Sequence, residues 1–197
     1  PVKIGKGVRQ ATAGGETVMY RHEKTFFNQT LIAGTITSDT SEADVEAKIG
    51  VWNALQYERV GFNLRPELVA LKDVNGDKAA FAALAKNIAE KSEFNLILMS
   101  EDADVISAAV ETAGFKRPLL YAATDANADA LGKIALDNDL PLAVKADSID
   151  GVIALTEKLT EMGLKDLVID TGSRDLKQAL EDQVAVRRAA LKDTNRS

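Results

Sequence analysis

The sequence predicts an α/β fold in which short parallel strands alternate strictly with helices, and three observations carry that reading. The stretch Phe94-Asn95-Leu96-Ile97-Leu98-Met99-Ser100-Glu101-Asp102 is a short apolar run that ends in acids and passes straight into a helical pattern. A strand apolar on both faces must be covered on both faces, which suits a parallel sheet flanked by helices. The same strand–acid–helix unit occurs six times, closed by Asp39, Asp73, Asp102, Asp125, Asp147 and Asp170 at intervals of 22 to 34 residues, about one β/α unit. No G-x-G-x-x-G and no P-loop occurs, and a doubly wound sheet would usually carry such a turn at its switch point. The expected architecture is therefore a (β/α) barrel of the TIM type. A complete barrel needs eight units in ~250 residues, and 197 residues here hold six. An open six-stranded sheet is the alternative. The expectation is a single domain, with residues 1–24 as a β-hairpin and lead-in and residues 25–197 as six β/α units.

Taken in order, Val8–Thr12 and Glu16–Tyr20 alternate polar and apolar residues around Ala13-Gly14-Gly15 and predict a β-hairpin. A hairpin ahead of the first parallel strand is a natural plug for one end of a barrel. The first strand is Thr30–Ile36, followed by a helix capped at Thr40 or Ser41 with Val45, Ile49, Trp52, Leu55 and Val60 on one stripe. The second unit pairs strand Leu68–Leu71 with a helix capped by Asp77 that buries Phe81, Leu84 and Ile88. The third follows the opening stretch with a helix presenting Ile106, Ala109, Val110 and Ala113 and stopping at Gly114. Strands at Leu119–Ala123, Leu142–Lys145 and Leu167–Ile169 complete the set. Their helices start near Asn127 (burying Leu131 and Ile134), at Ser148 (Val152, Leu155, Leu159, Met162) and at Ser173 (Leu176, Leu180, Val184).

Composition narrows the function classes. A net charge of −6 argues against nucleic acid, because phosphate binding needs a basic surface. No apolar run approaches the ~20 residues that span a bilayer, and the N-terminus lacks the pattern of a signal peptide, so a cytoplasmic chain is expected. With no Cys and one His, thiolate metal sites, iron–sulfur clusters and a Ser-His-Asp triad have no ligands or members to draw on. No metal site and no catalytic residue is assigned.

The run Gly14-Gly15-Glu16-Thr17-Val18-Met19-Tyr20-Arg21-His22-Glu23-Lys24-Thr25-Phe26-Phe27-Asn28, with Asn63-Leu64-Arg65-Pro66, Asp170-Thr171-Gly172-Ser173 and Val184–Leu191, resembles the large (gamma) subunit of the corrinoid iron–sulfur protein. The resemblance covers almost the whole chain. It implies a three-part subunit: a four-cysteine [4Fe-4S] domain, a central TIM barrel and a corrinoid-binding domain. Such a subunit, paired with a small subunit, carries a methyl group on cobalt from a methyl-tetrahydropterin methyltransferase to acetyl-CoA synthase in the reductive acetyl-CoA (Wood–Ljungdahl) pathway of anaerobic carbon fixation. The 197 residues resemble the first six units of the central barrel only. Cluster and corrinoid would therefore lie outside them, and the segment would serve as scaffold and docking surface without catalysing alone.

Active sites of (β/α) barrels sit where strands end. The acids there serve equally as caps for the helices that follow. The rival to the docking reading is a pterin-binding methyltransferase-type barrel, in which Asp73, Asp147 and Asp170 would hold the pterin ring. Lys72 and Lys145 end two strands and read as partners of neighbouring acids, with a Schiff base as the other use of a buried lysine. His22 precedes the first strand, at the stability end, and Trp52 reads as core. Gly172-Ser173 offers amides at a helix start, a weak phosphate signal. Two unpaired sheet edges would leave the isolated chain self-associating, with an interface above ~1,000 Å² at the first strand, the sixth strand or the last helix.

Overall fold

The computed structural model describes residues 1–14, 28 and 30–192. In chain order it holds β1 (Val2–Ile4), β2 (Ala11–Ala13), β3 (Ala33–Thr37), α1 (Glu42–Ala54), β4 (Tyr57–Arg59), β5 (Phe62–Leu64), β6 (Leu68–Lys72) and α2 (Lys78–Lys91). There follow β7 (Asn95–Met99), α3 (Ala103–Ala113), β8 (Leu119–Ala123), α4 (Ala128–Asp137), β9 (Leu142–Lys145), α5 (Ile149–Glu161), β10 (Leu167–Asp170) and α6 (Leu176–Lys192). β3, β6, β7, β8, β9 and β10 form one all-parallel sheet, and their spatial order is their chain order. No switch point occurs among them, which excludes a doubly wound sheet. Among the described residues β3 and β10 are the two edges.

The two faces of the sheet bury different partners. Ile36, Val69, Leu71, Leu96, Leu98, Leu120, Leu142 and Val144 pack with the apolar stripes of the helices, Phe81, Ile106, Leu131 and Leu159 among them, in the larger core. The alternate residues Leu68, Leu119, Ala122 and Ala143 pack instead with Ile4 and Ala11 of the N-terminal hairpin. Strand residues alternate sides, so helices lie on one side of the sheet and the hairpin on the other.

That hairpin sits over the N-terminal ends of the strands. The Gly5 amide donates to the Arg117 carbonyl at 2.9 Å, two residues before β8. The Lys6 amide donates to Asn95 Oδ1 at 3.0 Å, at the start of β7. Arg9, only 5% exposed, donates to the Pro66 carbonyl at 2.6 Å and to Asn53 Oδ1 at 3.1 Å, with its guanidinium 4.3 Å above the Phe94 ring. Gly5 is required there. Its φ is +79°, and a Cβ would lie 1.9 Å from Asn95 Cγ.

The hairpin differs from the expected one in its arms. Ile4 pairs with Ala11 and Val2 with Ala13, so the partner of the 11–13 arm precedes it. The anticipated arm Glu16–Tyr20, like His22 and Phe26-Phe27, lies outside the described residues. The chain reverses at Gly5 and Gly7, both at positive φ, through a single tight turn at Gly7–Arg9. A second correction concerns the first helix, whose stripe was expected to reach Val60. The helix ends at Ala54, with Leu55 as its C-cap, and residues 57–64 form an antiparallel hairpin closed by Val60 and Gly61, at φ +51° and +78°. Two central residues of positive φ make the turn type that matches strand twist. Trp52 stays on the packed stripe as expected, against the core and over Gly34, where a Cβ would meet the indole at 2.4 Å.

Caps follow the sequence closely. Ser41 accepts from the Asp44 amide, Asp77 from Ala79 and Ala80, Asp102 from Asp104, and Ser148 from Gly151. α6 is the exception in packing: Leu176, Leu180 and Val184, one helical face, are 88%, 65% and 60% exposed.

Candidate functional site

Strand register assembles a layer of side chains at the C-terminal rim on the face away from the helices. Thr37 lies beside Lys72, Lys72 beside Met99 and Met99 beside Tyr121, while Lys145 lies beside Asp170. Each is the inward member at or near the end of its strand, one from every strand of the sheet. The layer beneath is apolar or small: Thr35, Ala70, Ile97, Leu119, Ala143 and Val168 by the same pairing. The register of β8 against β9 slips between Leu120 and Ala123, so Tyr121 and Ala122 both belong to the hairpin-side cluster. An extra residue of this kind re-aims a side chain at a sheet's rim.

A cavity of about 620 Å³ opens over this rim, lined by Lys72, Asp73, Met99, Ser100, Glu101, Tyr121, Ala122, Lys145 and Arg174 with a few neighbours. Its size suits a small organic ligand.

The best-formed polar unit is Tyr121, Asp170 and Arg174. The Tyr121 phenol donates to Asp170 Oδ2 at 2.5 Å, Arg174 donates to both carboxylate oxygens at 3.0 and 3.2 Å, and the Gly172 amide donates to Oδ1 at 2.8 Å. Burial pushes the Asp170 carboxyl up, but the bonds from Arg174, Tyr121 and Gly172 outweigh it and hold it at about 2. Burial and the bond to Asp170 push the Tyr121 phenol up to about 12. The unit is an anion held by three donors, with the phenol kept protonated.

The other expected acids do different work. Asp73 accepts from the Asn75 and Gly76 amides and from Ser100 Oγ, closing the turn before α2. Asp102 caps α3. Asp125 caps nothing: α4 begins after Asn127, whose side chain turns back to accept from the Thr124 amide. Asp39 and Asp147 are exposed, and Asp147 lines two neighbouring depressions rather than the rim cavity. Of Asp73, Asp147 and Asp170, then, the first lines the cavity, the third anchors one wall, and the second lies apart.

Lys72 and Lys145 do reach the rim, yet neither is the partner of a neighbouring acid. Among the described residues no hydrogen bond or ion pair ties either amine, while Arg174 and Lys78 hold theirs. Tyr121 and Arg174 were not singled out from the sequence. The signal for Tyr121 was its place in the strand-end layer; Arg174 had none, because it reaches back from the loop after β10.

The profile of the family described as CO dehydrogenase/acetyl-CoA synthase delta subunit matches residues 1–197. The chain belongs to the CO dehydrogenase/acetyl-CoA synthase delta-subunit family. It is 35% identical over 196 residues to the corrinoid/iron–sulfur protein large subunit of Moorella thermoacetica, covering 100% of this chain and 44% of that protein. It is 35% identical to the acetyl-CoA decarbonylase/synthase complex subunit gamma 2 of Methanosarcina mazei, covering 96% of this chain and 42% of the relative. The Methanopyrus kandleri gamma subunit is 32% identical, with 98% and 43% covered. The family is described by a delta subunit and the relatives are large or gamma subunits; the resemblance to the large subunit is upheld. The chain spans less than half the length of these relatives. Among the described residues of this family member, no group of three His, Cys, Asp or Glu side chains is placed to hold a metal ion. No helix among them is long and apolar enough to cross a membrane.

Proposed function

We propose that this chain is the barrel-type scaffold and docking segment of a corrinoid/iron–sulfur protein subunit working in the acetyl-CoA pathway. The observation that carries the reading is the family match over all 197 residues, joined to relatives whose names place them in the corrinoid/iron–sulfur protein and the acetyl-CoA decarbonylase/synthase complex. In this reading the parallel sheet is six units of a TIM-type barrel wall, singly wound, with helices on one side and the N-terminal hairpin closing the bottom. In this reading corrinoid and [4Fe-4S] cluster are held outside these 197 residues, which without Cys offer the cluster no thiolate. The chain's contribution to methyl transfer is geometric: it positions the cofactor-bearing parts against the small subunit, the methyltransferase and acetyl-CoA synthase, in the cytoplasm.

The exposed stripe Leu176, Leu180 and Val184 on α6 is the surface this reading assigns to docking, because exposed apolar faces of this kind mark interfaces. Replacing Leu176 and Leu180 with Asp, both outside the core, tests it. Sedimentation of the purified protein with the small subunit should lose the complex in the double variant, with circular dichroism unchanged. Undiminished association and methyl transfer in that variant would overturn the assignment.

A pterin-binding barrel is the second reading, favoured only by Asp73 at the cavity wall. Calorimetric titration with methyltetrahydrofolate decides it: heat that disappears in Asp73→Asn supports it, and no heat removes it.

A further inference from the structure

We propose that Asn75 is a site of spontaneous modification at the rim, where the side-chain amide is converted to a carboxylate through a cyclic imide, and that the Asp73 carboxylate sets the rate by holding the Gly76 amide proton. The inference goes beyond the docking role and does not depend on it.

The chemistry needs a free backbone amide beside an asparagine side chain. The amide nitrogen of the following residue loses its proton and attacks the asparagine Cγ. The N–Cγ bond forms, the C–NH2 bond breaks and ammonia leaves, closing a five-membered imide. Water then opens either carbonyl, leaving an aspartate or an isoaspartate whose backbone runs through the side chain. Asn75-Gly76 is the one Asn-Gly pair in the sequence, and glycine, without a Cβ, hinders ring closure least. The pair lies in the exposed bend between β6 and α2. A Cβ at Gly76 would meet nothing within 4 Å, and the Asn75 side chain has no hydrogen-bond partner among the described residues. The other described asparagines lack this combination. Asn28, Asn53, Asn95, Asn127 and Asn138 have bonded side chains, and Asn63 and Asn87 are fixed inside β5 and α2.

The fold also restrains the reaction. The Gly76 amide donates to Asp73 Oδ1 at 2.9 Å and the Asn75 amide to the same oxygen at 3.2 Å, while Ser100 Oγ donates to Asp73 Oδ2 at 3.0 Å. A carboxylate bonded to an N–H favours the protonated amide, so the nitrogen that must attack keeps its proton and stays turned toward Asp73. Val74 and Gly76, on either side of Asn75, line the rim cavity. Conversion therefore alters the cavity wall. A new carboxylate stands near Asp73, and in the isoaspartate form an added methylene lengthens the backbone between the Asp73 turn and the Asp77 cap. The rim grows more negative as the molecule ages, with no enzyme involved.

Incubation of the protein in mildly alkaline buffer, followed by cleavage after lysine and peptide mass spectrometry, tests this. Cleavage after Lys72 and Lys78 releases Asp73–Lys78, in which Asn75 is the only asparagine, and chromatography separates its aspartate and isoaspartate forms. The expected result is that this peptide converts ahead of every other asparagine-containing peptide, with both acid forms present, and that Asn75→Gln keeps its amide. Unfolding in urea should accelerate conversion in the wild type. In the native state Asp73→Ala should convert about three- to tenfold faster, the rate equivalent of part of one charge-assisted hydrogen bond, and in urea no faster than wild type. Asp77→Ala weakens the neighbouring cap and leaves the Gly76 bond intact, so its rate should stay near that of wild type. Conversion elsewhere first, or an Asn75 amide that persists even in urea, overturns the site. Equal rates for folded wild type and Asp73→Ala, or equal acceleration by Asp77→Ala, overturns the restraint.

Discussion

Asp170→Asn removes the partly buried anion around which Tyr121, Arg174 and the loop after β10 are arranged. The carboxyl lies at about 2 against an ordinary value of 3.8. At about 1.36 kcal/mol per pH unit that difference is worth roughly 2 kcal/mol in favour of the folded state. Arg174 is 63% exposed, so its share is screened and the expected loss is about 1–2 kcal/mol. The sign follows from the direction. A carboxyl with a depressed folded pKa contributes fully above its unfolded value near 4, and the contribution disappears as pH falls through about 2. Urea unfolding of wild type and variant at pH 7 should therefore differ by about 1–2 kcal/mol, and the gap should close by more than half near pH 2.5. Ultraviolet titration gives a second readout, since losing the neighbouring anion brings the Tyr121 phenol down from about 12 towards its ordinary 10. A gap that is the same at both pH values, or a phenol that does not move, would refute the account.

Val60→Asn should raise stability by about 1 kcal/mol, because a β-branched residue at φ +51° is strained and Asn-Gly suits this turn; thermal unfolding measures it. Gly34→Ala should cost about 1–3 kcal/mol, since the added methyl meets the Trp52 ring at 2.4 Å; quenching of Trp52 fluorescence reports the displaced ring along with the lower melting temperature. Asp77→Ala should cost about 1 kcal/mol in urea unfolding by freeing the amides of Ala79 and Ala80. The isolated chain should associate with itself, as edge strands β3 and β10 and the apolar face of α6 recruit partners; light scattering over a concentration series that stays monomeric would dismiss this.

What could be read from the residues alone was whatever repeats. Six apolar runs gave six parallel strands in order, and Ser41, Asp77, Asp102 and Ser148 cap as their residue types require. The miss at residues 57–64 has a clear origin. Val60 stands at a helical interval from Trp52 and Leu55, so period alone extended the helix, while the turn at Val60-Gly61 carries no Asn or Asp to announce it. At the N-terminus a hairpin is present, turning at Gly5 and Gly7, while the expected arm Glu16–Tyr20 lies outside the described residues. The site was half legible. The strand-end acids marked the correct end of the sheet, but the loops after the strands decide which of them face the cavity, and only Asp170 sits inside its strand. The uncommitted state of Lys72 and Lys145 is a property of three-dimensional neighbours, so no local pattern records it.

The N-terminal plug sets an order of events for folding. Its anchors are far downstream: Arg9 on Pro66 spans 57 residues, Lys6 on Asn95 spans 89, and Arg117 on Lys3 spans 114. Each of these partners is synthesised well after the residue it anchors. Until β6, β7 and β8 are made and paired, residues 1–14 lack the full set of partners they close against, and the apolar lower rim of the sheet stays wet. Loop closure over such distances costs entropy before any contact repays it. Residues 1–14, made before the sheet, are thus ordered after it, and they lock a sheet that β6, β7 and β8 have already assembled. A lesion in the plug, such as loss of Arg9, should accelerate unfolding far more than it slows folding.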